Sequence, residues 1–225
     1  MNASLRSLLV FAAGISIFAI ALLPLSAAAE PFSDLYVGFS VTDDSTYSRD
    51  GQLIIPSVIC VSQCQSSMSP VGGIRIGYWF ERFPWLGVSG DFSSFIASWG
   101  IQSPIEVQAY PITPLLMVRG RLIKQEGFDN GRVQPYLAIG PSIFITTATL
   151  NTGLLVLGSA QNFGSTTADI GLDARLGVQI ATAPWFGINL EYRYSLVSPS
   201  WTLAGSTIAT TLSTSQLILG IGAHY

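Results

Sequence analysis

Residues 168–180 read ADIGLDARLGVQI, and an apolar residue stands at every second position. The residues between them are Asp169, Asp173, Arg175 and Gln179, together with two glycines. Side chains of a β-strand alternate between its two faces, whereas a helical period would spread these charges around a cylinder. The segment therefore predicts a β-strand with one fully apolar face and one polar face.

The same two-residue period recurs along the chain. Seven further segments follow it, and they span 35–41, 74–80, 86–93, 116–122, 137–143, 186–194 and 217–225. Eight strands are the smallest set that closes a membrane barrel, and an even number suits antiparallel up-and-down order. A soluble lipocalin-type barrel would bury its apolar face. Here the charges share a face with glycine and serine, which suits a narrow interior. We expect an all-β fold, an eight-stranded antiparallel up-and-down transmembrane β-barrel.

The composition agrees with a membrane location. The 225 residues are 49% hydrophobic and only 10% charged, whereas soluble domains carry about 25% charged residues. Intrinsic disorder requires low hydrophobicity and high net charge, so it is excluded. The formal net charge of −3 offers no basic surface for nucleic acid, and we expect no nucleic-acid partner.

The first 29 residues have the order of a cleavable signal peptide. Arg6 precedes an apolar run from Leu8 to Leu23, and Pro24 and three alanines follow before Glu30. This order predicts cleavage before Glu30, with a signal peptide at 1–29 and a barrel domain at 30–225. A retained transmembrane anchor is the alternative, but the run is shorter than the roughly 20 residues that a spanning helix needs.

The connections between the predicted strands alternate in length. The long ones are 43–70, 99–108, 150–165 and 199–214, and the turns at 81–84 and 182–184 are short. Short periplasmic turns and long external loops are typical of outer-membrane barrels. Aromatic residues near the strand ends predict two interfacial girdles, formed by Phe80, Phe83, Trp85, Trp185 and Phe186 on the turn side and by Phe92, Phe95, Trp99, Tyr110, Phe144 and Trp201 on the loop side.

Several motifs resemble those of a known family. GIRIGY at 73–78, QPYLAIG at 134–140, LEYRY at 190–194 and the final strand ending in Tyr225 resemble the small eight-stranded outer-membrane barrels. That porin-like family includes the transmembrane domain of outer-membrane protein A and the opacity-type surface antigens. The resemblance implies a place in the outer-membrane lipid of a Gram-negative-type bacterium. It also implies recognition of the C-terminal strand by the barrel-assembly machinery, although Tyr225 departs from the usual final Phe.

The predicted inward faces carry nine charges. They are Arg75, Asp91, Arg119, Arg121, Asp169, Asp173, Arg175, Glu191 and Arg193. Buried charges persist when they are paired and hydrogen-bonded. We therefore expect a lumenal ionic network that fills the barrel as a plug, because eight strands leave room for little besides side chains. A gated narrow channel is the alternative.

The remaining reactive residues predict no catalytic site. Cys60 and Cys64 lie in the longest loop of an exported chain, and we expect one structural disulfide and no metal site. His224 is the only histidine and lies at the end of the last strand, far from the outer interface. Asp169 with Asp173 could act without histidine, but both point into a crowded lumen.

We therefore expect a non-enzymatic protein without cofactor or metal. Its role would be structural or interactive: envelope integrity, adhesion, or recognition of an external partner by the long loops. A narrow pore for small solutes is the first alternative. A membrane-embedded lipid-modifying or proteolytic enzyme is the second.

Overall fold

The computed structural model describes residues 29–43, 47–49, 52–54, 68–98, 105–123, 125–128, 130–151, 162–203 and 205–224. Its strands within these ranges are β1 (Ala29–Asp43), β2 (Tyr47–Arg49), β3 (Gln52–Ile54), β4 (Met68–Phe80), β5 (Leu86–Ser98), β6 (Ile105–Arg119), β7 (Val133–Asn151), β8 (Asn162–Ala183), β9 (Phe186–Val197), β10 (Ser200–Leu203), β11 (Ser206–Ala209) and β12 (Leu212–His224). No helix in the described ranges is long and apolar enough to cross a membrane.

Eight of the strands close into a barrel. Their order around the wall is β1-β12-β9-β8-β7-β6-β5-β4, and each neighbouring pair is antiparallel. The first and last strands meet, with Phe32 opposite His224 and Asp43 opposite Ser213. Each predicted segment lies mainly in one barrel strand, so the expected eight-stranded up-and-down barrel is confirmed.

The wall is apolar outside and filled inside. On β8 the side chains of Ile170 and Leu176 are 81% and 57% exposed, whereas Asp173 and Arg175 are buried on the opposite face. The same alternation holds in β9 and β12. An outward row of large apolar side chains suits contact with lipid.

Two segments expected as loops contain strand residues. β7 continues to Asn151 and β8 begins at Asn162, so the two ends of the loop expected at 150–165 belong to an extended hairpin, and 152–161 lie outside the described residues. Threonine is β-branched and fits a pleated strand, and Thr147 and Thr166 join their hydroxyls across this hairpin at 3.0 Å. Ser/Thr content suits a solvated loop and an exposed β-ladder equally, so composition alone does not distinguish the two.

The segment expected as a loop at 199–214 also contains strands. β10 and β11 join β2 and β3 in a four-stranded sheet with the order β10-β11-β2-β3. Val197 pairs with Leu212 in the barrel, and Ser200 pairs with Ala209 beyond it. The hairpin of β9 and β12 thus keeps its register across a short break, and the first long loop hydrogen-bonds to the last through β2 and β11.

Three aromatic residues assigned to the loop-side girdle lie inside the barrel instead. Phe95, Phe144 and Trp201 are 3%, 0% and 2% exposed. Each occupies an inward position of its strand, which proximity to a strand end does not reveal. The turn-side residues Phe83, Trp85 and Trp185 are exposed, as expected for a girdle. Trp99, Tyr225, Cys60, Cys64 and the predicted signal peptide up to residue 28 lie outside the described residues.

One glycine allows β6 and β7 to approach closely. A Cβ added at Gly140 would lie 1.8 Å from the carbonyl oxygen of Pro114. A real side chain would collide with that backbone, so only glycine fits here. By contrast, a Cβ at Gly90 on the outer face of β5 would meet nothing within 4 Å.

Candidate functional site

Seven charged side chains from five strands meet inside the barrel. We call them the central ionic cluster: Asp34 (β1), Arg75 (β4), Asp91 (β5), Asp173 and Arg175 (β8), and Glu191 and Arg193 (β9). Each stands at an inward position of the two-residue period, and none is more than 7% exposed. Because the strands are distant in sequence, only a closed barrel brings these groups together.

Arg175 joins three carboxylates. Its Nη1 lies 2.7 Å from an oxygen of Asp91, and its Nε donates to Asp173 at 2.8 Å. The same Nη1 lies 3.6 Å from Glu191. Asp173 and Arg175 share a face because they are two residues apart on one strand. Arg175 therefore links the carboxylates of β5, β8 and β9.

Arg75 also contacts three carboxylates of the cluster, those of Glu191, Asp91 and Asp34. Its Nη2 donates to both carboxylate oxygens of Glu191, at 2.8 and 2.6 Å. Its Nε lies 3.5 Å from Asp91, and its Nη1 lies 3.6 Å from Asp34. The guanidinium carbon lies 5.8 Å from the ring centroids of both Tyr36 and Tyr136. This is within the range of cation–π attraction.

Two tyrosines and Arg193 donate further hydrogen bonds to the same carboxylates. The hydroxyl of Tyr36 donates to Asp91 at 2.9 Å, and that of Tyr136 donates to Glu191 at 2.7 Å. Arg193 donates from Nε to Asp173 at 2.6 Å and from Nη1 to Ser93 at 2.7 Å. Hydrogen bonds to charged groups are the strong class, so the cluster is held from several strands at once.

Two apolar layers enclose the central ionic cluster. The turn-side layer consists of Phe32, Trp79, Leu115, Met117, Tyr136 and Ala138. The loop-side layer consists of Tyr36, Val71, Phe95, Ala97, Val107, Ala109, Phe144, Ala148, Val197, Trp201, Leu212 and Ile218. Trp201 enters this layer from β10, and its indole N–H donates to Thr146 at 3.1 Å. The charges are thus separated from both ends of the barrel by packed apolar side chains.

Arg119 was predicted for the lumen and lies in a separate group at the turn-side mouth. It forms an ion pair with Glu30, and its Nε donates to the carbonyl of Pro84 at 2.8 Å. Its Nη1 donates to Gln134 at 3.1 Å, and its guanidinium lies 4.3 Å from the ring centroid of Trp79. Arg119 closes this mouth rather than joining the central ionic cluster.

Two other predicted residues are not joined to the central ionic cluster. Among the described residues, neither Arg121 nor Asp169 makes an ion pair, and a buried oxygen of Asp169 lacks a hydrogen-bond partner. Arg121 follows the end of β6. Partial burial lowers its pKa, and the nearby Arg119 cation acts in the same direction. The two-residue alternation places both Arg121 and Asp169 on the inward side of the wall. The central ionic cluster, however, does not extend as far as either end of the barrel.

The sequence interpretation missed two charged residues. Asp34 belongs to the central ionic cluster, and Glu30 belongs to the turn-side mouth. Asp34 lies two residues before Tyr36, so the alternation already noted from 35 to 41 could have been extended back to it. Glu30 lay next to the expected cleavage point, where no pattern singled it out.

His224 completes the turn-side mouth. Its Nδ1 lies 3.1 Å from Glu30, its Nε2 contacts the amide of Gln179, and its ring stacks on Phe32 at 5.8 Å. Glu30, His224 and Gln179 also line a pocket of about 160 Å³. In the part of the chain described, no cluster of three or more His, Cys, Asp or Glu side chains has the arrangement of a metal site.

Comparison with known proteins agrees with this architecture. A family model described as an outer membrane protein β-barrel domain matches residues 13–224. The structure is similar to Neisserial surface protein A, at 15% identity and a TM-score of 0.54, over 87% of this chain and 97% of that one. It is also similar to OprG from Pseudomonas aeruginosa, at 14% identity and a TM-score of 0.56, over 88% and 97%. No curated protein matches the chain.

Proposed function

Because the chain belongs to the family of outer-membrane protein β-barrel domains and lies in the outer membrane of a Gram-negative-type bacterium, we propose that it is a closed barrel with a structural or surface-interaction role. The role would be envelope integrity, adhesion or recognition of an external partner. The lipid of the outer membrane surrounds the wall, and the long-loop end faces outward.

The filled interior is the observation that carries this proposal. The central ionic cluster lies between two apolar layers, and the largest fully buried side chains include Trp201, Arg193 and Phe144. A solute would have to displace packed aromatic rings and then separate paired charges. Breaking a buried ion pair costs about 3–5 kcal/mol, so such a path stays closed at rest.

The loop-side sheet supports an interaction role. β2 and β3 from the first long loop and β10 and β11 from the last form one hydrogen-bonded sheet. This gives the outer end ordered backbone instead of separate loops. A rigid platform reduces the ordering entropy that a partner's binding must overcome.

The interior geometry gives little support to the enzyme alternative. Asp173 accepts from Arg175 and Arg193, so its oxygens face cations rather than a vacant substrate position. His224 contacts Glu30 at the turn-side mouth, at the opposite end of the wall from Asp169. We therefore propose that the protein is not an enzyme.

Planar-bilayer recording tests the closed barrel. The purified wild-type protein should give no stable open level. Trp201→Ala combined with Phe144→Ala, which empties much of the loop-side layer, should increase transient conductance events. Leu219→Ala, a lipid-facing truncation, serves as the matched control and should match wild type. A reproducible open level in wild type would overturn the proposal.

A narrow cation-conducting pore is the second candidate. Among the described residues, both polar side-chain atoms of the buried Gln216 and one oxygen of Asp34 lack hydrogen-bond partners. Unsatisfied buried polar atoms are sites where water enters. If wild type conducts, reversal potentials in a salt gradient will measure its selectivity, and this candidate expects a preference for cations.

Processing and assembly form a separate part of the proposal. We propose cleavage before Glu30, a disulfide between Cys60 and Cys64, and recognition of the final strand with Tyr225 by the barrel-assembly machinery. The mature mass and the count of free thiols test the first two. Tyr225→Ala should reduce the amount of assembled, heat-modifiable protein in cells. Unchanged assembly would remove Tyr225 from this role.

A further inference from the structure

The central ionic cluster has one carboxylate too many. Its described members are four acids and three arginines, a formal balance of 3 − 4 = −1. Arg119 cannot supply the missing charge, because it is paired with Glu30 at the turn-side mouth. An isolated charge between apolar layers is strongly disfavoured. The cluster therefore needs one more positive charge to be neutral.

The deficit falls on Asp34. Asp91, Asp173 and Glu191 each accept at least one guanidinium hydrogen bond of 2.8 Å or less. Among the described residues, the cation paired with Asp34 is Arg75, whose Nη1 lies 3.6 Å away, which is beyond hydrogen-bond distance. The Oδ1 of Asp34 has no partner among the described residues, although the side chain is only 6% exposed.

The carboxylate of Asp34 lies against Gly222 of the neighbouring strand. Asp34 pairs with Gly222 on β12, and a Cβ added at Gly222 would lie 2.2 Å from Oδ1. The carboxylate thus occupies the volume that any side chain at 222 would take. The ionisable groups that act on it electrostatically from other strands are Arg75, His224, Glu191 and Asp91. A ligand at Oδ1 that neutralises the cluster must carry one positive charge.

We propose that Asp34 is the binding site of one monovalent cation, a proton or an alkali metal ion, which neutralises the central ionic cluster. This inference rests on the proposed closed barrel, because only a closed interior requires the charge to be balanced locally. With the cation bound, the interior is neutral and stays dry. Without it, the excess charge favours water entry through the turn-side layer.

Infrared spectroscopy of the folded wild-type barrel distinguishes the two cations. A bound proton gives the carbonyl-stretching band of a neutral carboxylic acid at neutral pH. That band shifts on isotopic labelling of aspartate and is absent in Asp34→Asn. A bound alkali ion gives no such band. Instead, wild type loses stability when sodium and potassium are replaced by choline, and Asp34→Asn does not.

The matched control is Asp91→Asn, which loses charge-assisted bonds from Arg175 and Tyr36. We expect Asp34→Asn to change the unfolding equilibrium by less than about tenfold, and Asp91→Asn by about a hundredfold or more. Absence of both the band and the alkali dependence in wild type would overturn the inference, and this measurement needs no variant to fold. Bilayer conductance is read separately, so a failure of the closed-barrel proposal is distinguishable from a failure at Asp34.

Discussion

Replacing Arg175 with methionine should destabilise the barrel by about 3–5 kcal/mol, the cost of removing one partner from a buried ion pair. Two short contacts disappear, to Asp91 at 2.7 Å and to Asp173 at 2.8 Å. Hydrogen bonds to charged groups contribute about 1.5–3 kcal/mol each, which gives about 3–6 kcal/mol for the pair. Methionine keeps much of the volume, so the loss reports on charge rather than on a cavity.

The assay is urea unfolding in lipid vesicles, followed by tryptophan fluorescence and by the gel shift between boiled and unboiled samples. Arg121→Met is the matched control, because Arg121 has no ion pair among the described residues and is only partly buried. It should change the free energy of unfolding by about 0.5 kcal/mol or less. Equal stabilities of the two variants would refute the view that the buried pairs hold the interior together.

Three further predictions test the loop-side layer, the lipid-facing surface and the contact between β6 and β7. Trp201→Ala should destabilise it by about 3–5 kcal/mol through the cavity it leaves, whereas Trp201→Phe should lose about 1 kcal/mol with the bond to Thr146, both measured by urea unfolding. Leu190→Arg, in the middle of the lipid-facing row of β9, should lose about 2–4 kcal/mol in vesicles, and a neutral result would show that this face does not meet hydrocarbon. Gly140→Ala should lose about 1–3 kcal/mol by overpacking against β6, while Gly90→Ala should be near neutral, and similar losses for both would contradict the close approach of Gly140 to Pro114.

The barrel itself was predictable because its rule is local. A two-residue period with charges and glycines on one face, as at 168–180, determines both the strand and its inward side. The positions of Arg75, Asp91, Asp173, Arg175, Glu191 and Arg193 inside the wall follow from that parity alone. Which of them touch depends on strand order and stagger, and one sequence does not contain that information.

The failures have physical causes as well. On β6 both faces are apolar, with Leu115 and Met117 packed inside, so alternation could not reveal that the interior contains apolar layers. Trp201 and Phe144 were judged by their nearness to strand ends rather than by parity. Threonine-rich segments suit both solvated loops and exposed ladders, so the added strands beyond the barrel had no distinguishing pattern.

The partners in the central ionic cluster come from distant parts of the chain. Arg75 and Glu191 are separated by 116 positions, and Asp91 and Arg175 by 84. Forming each hairpin between neighbouring strands does not bring these residues into contact. Topologies dominated by contacts distant in sequence are slow to fold. In an open sheet that has not yet closed into a barrel, the unpaired arginines and aspartates would contact the hydrocarbon of the membrane. The barrel must therefore close between β1 and β12 in the same cooperative step that pairs these charges. Until the last strand binds, the unpaired charges must remain in contact with water.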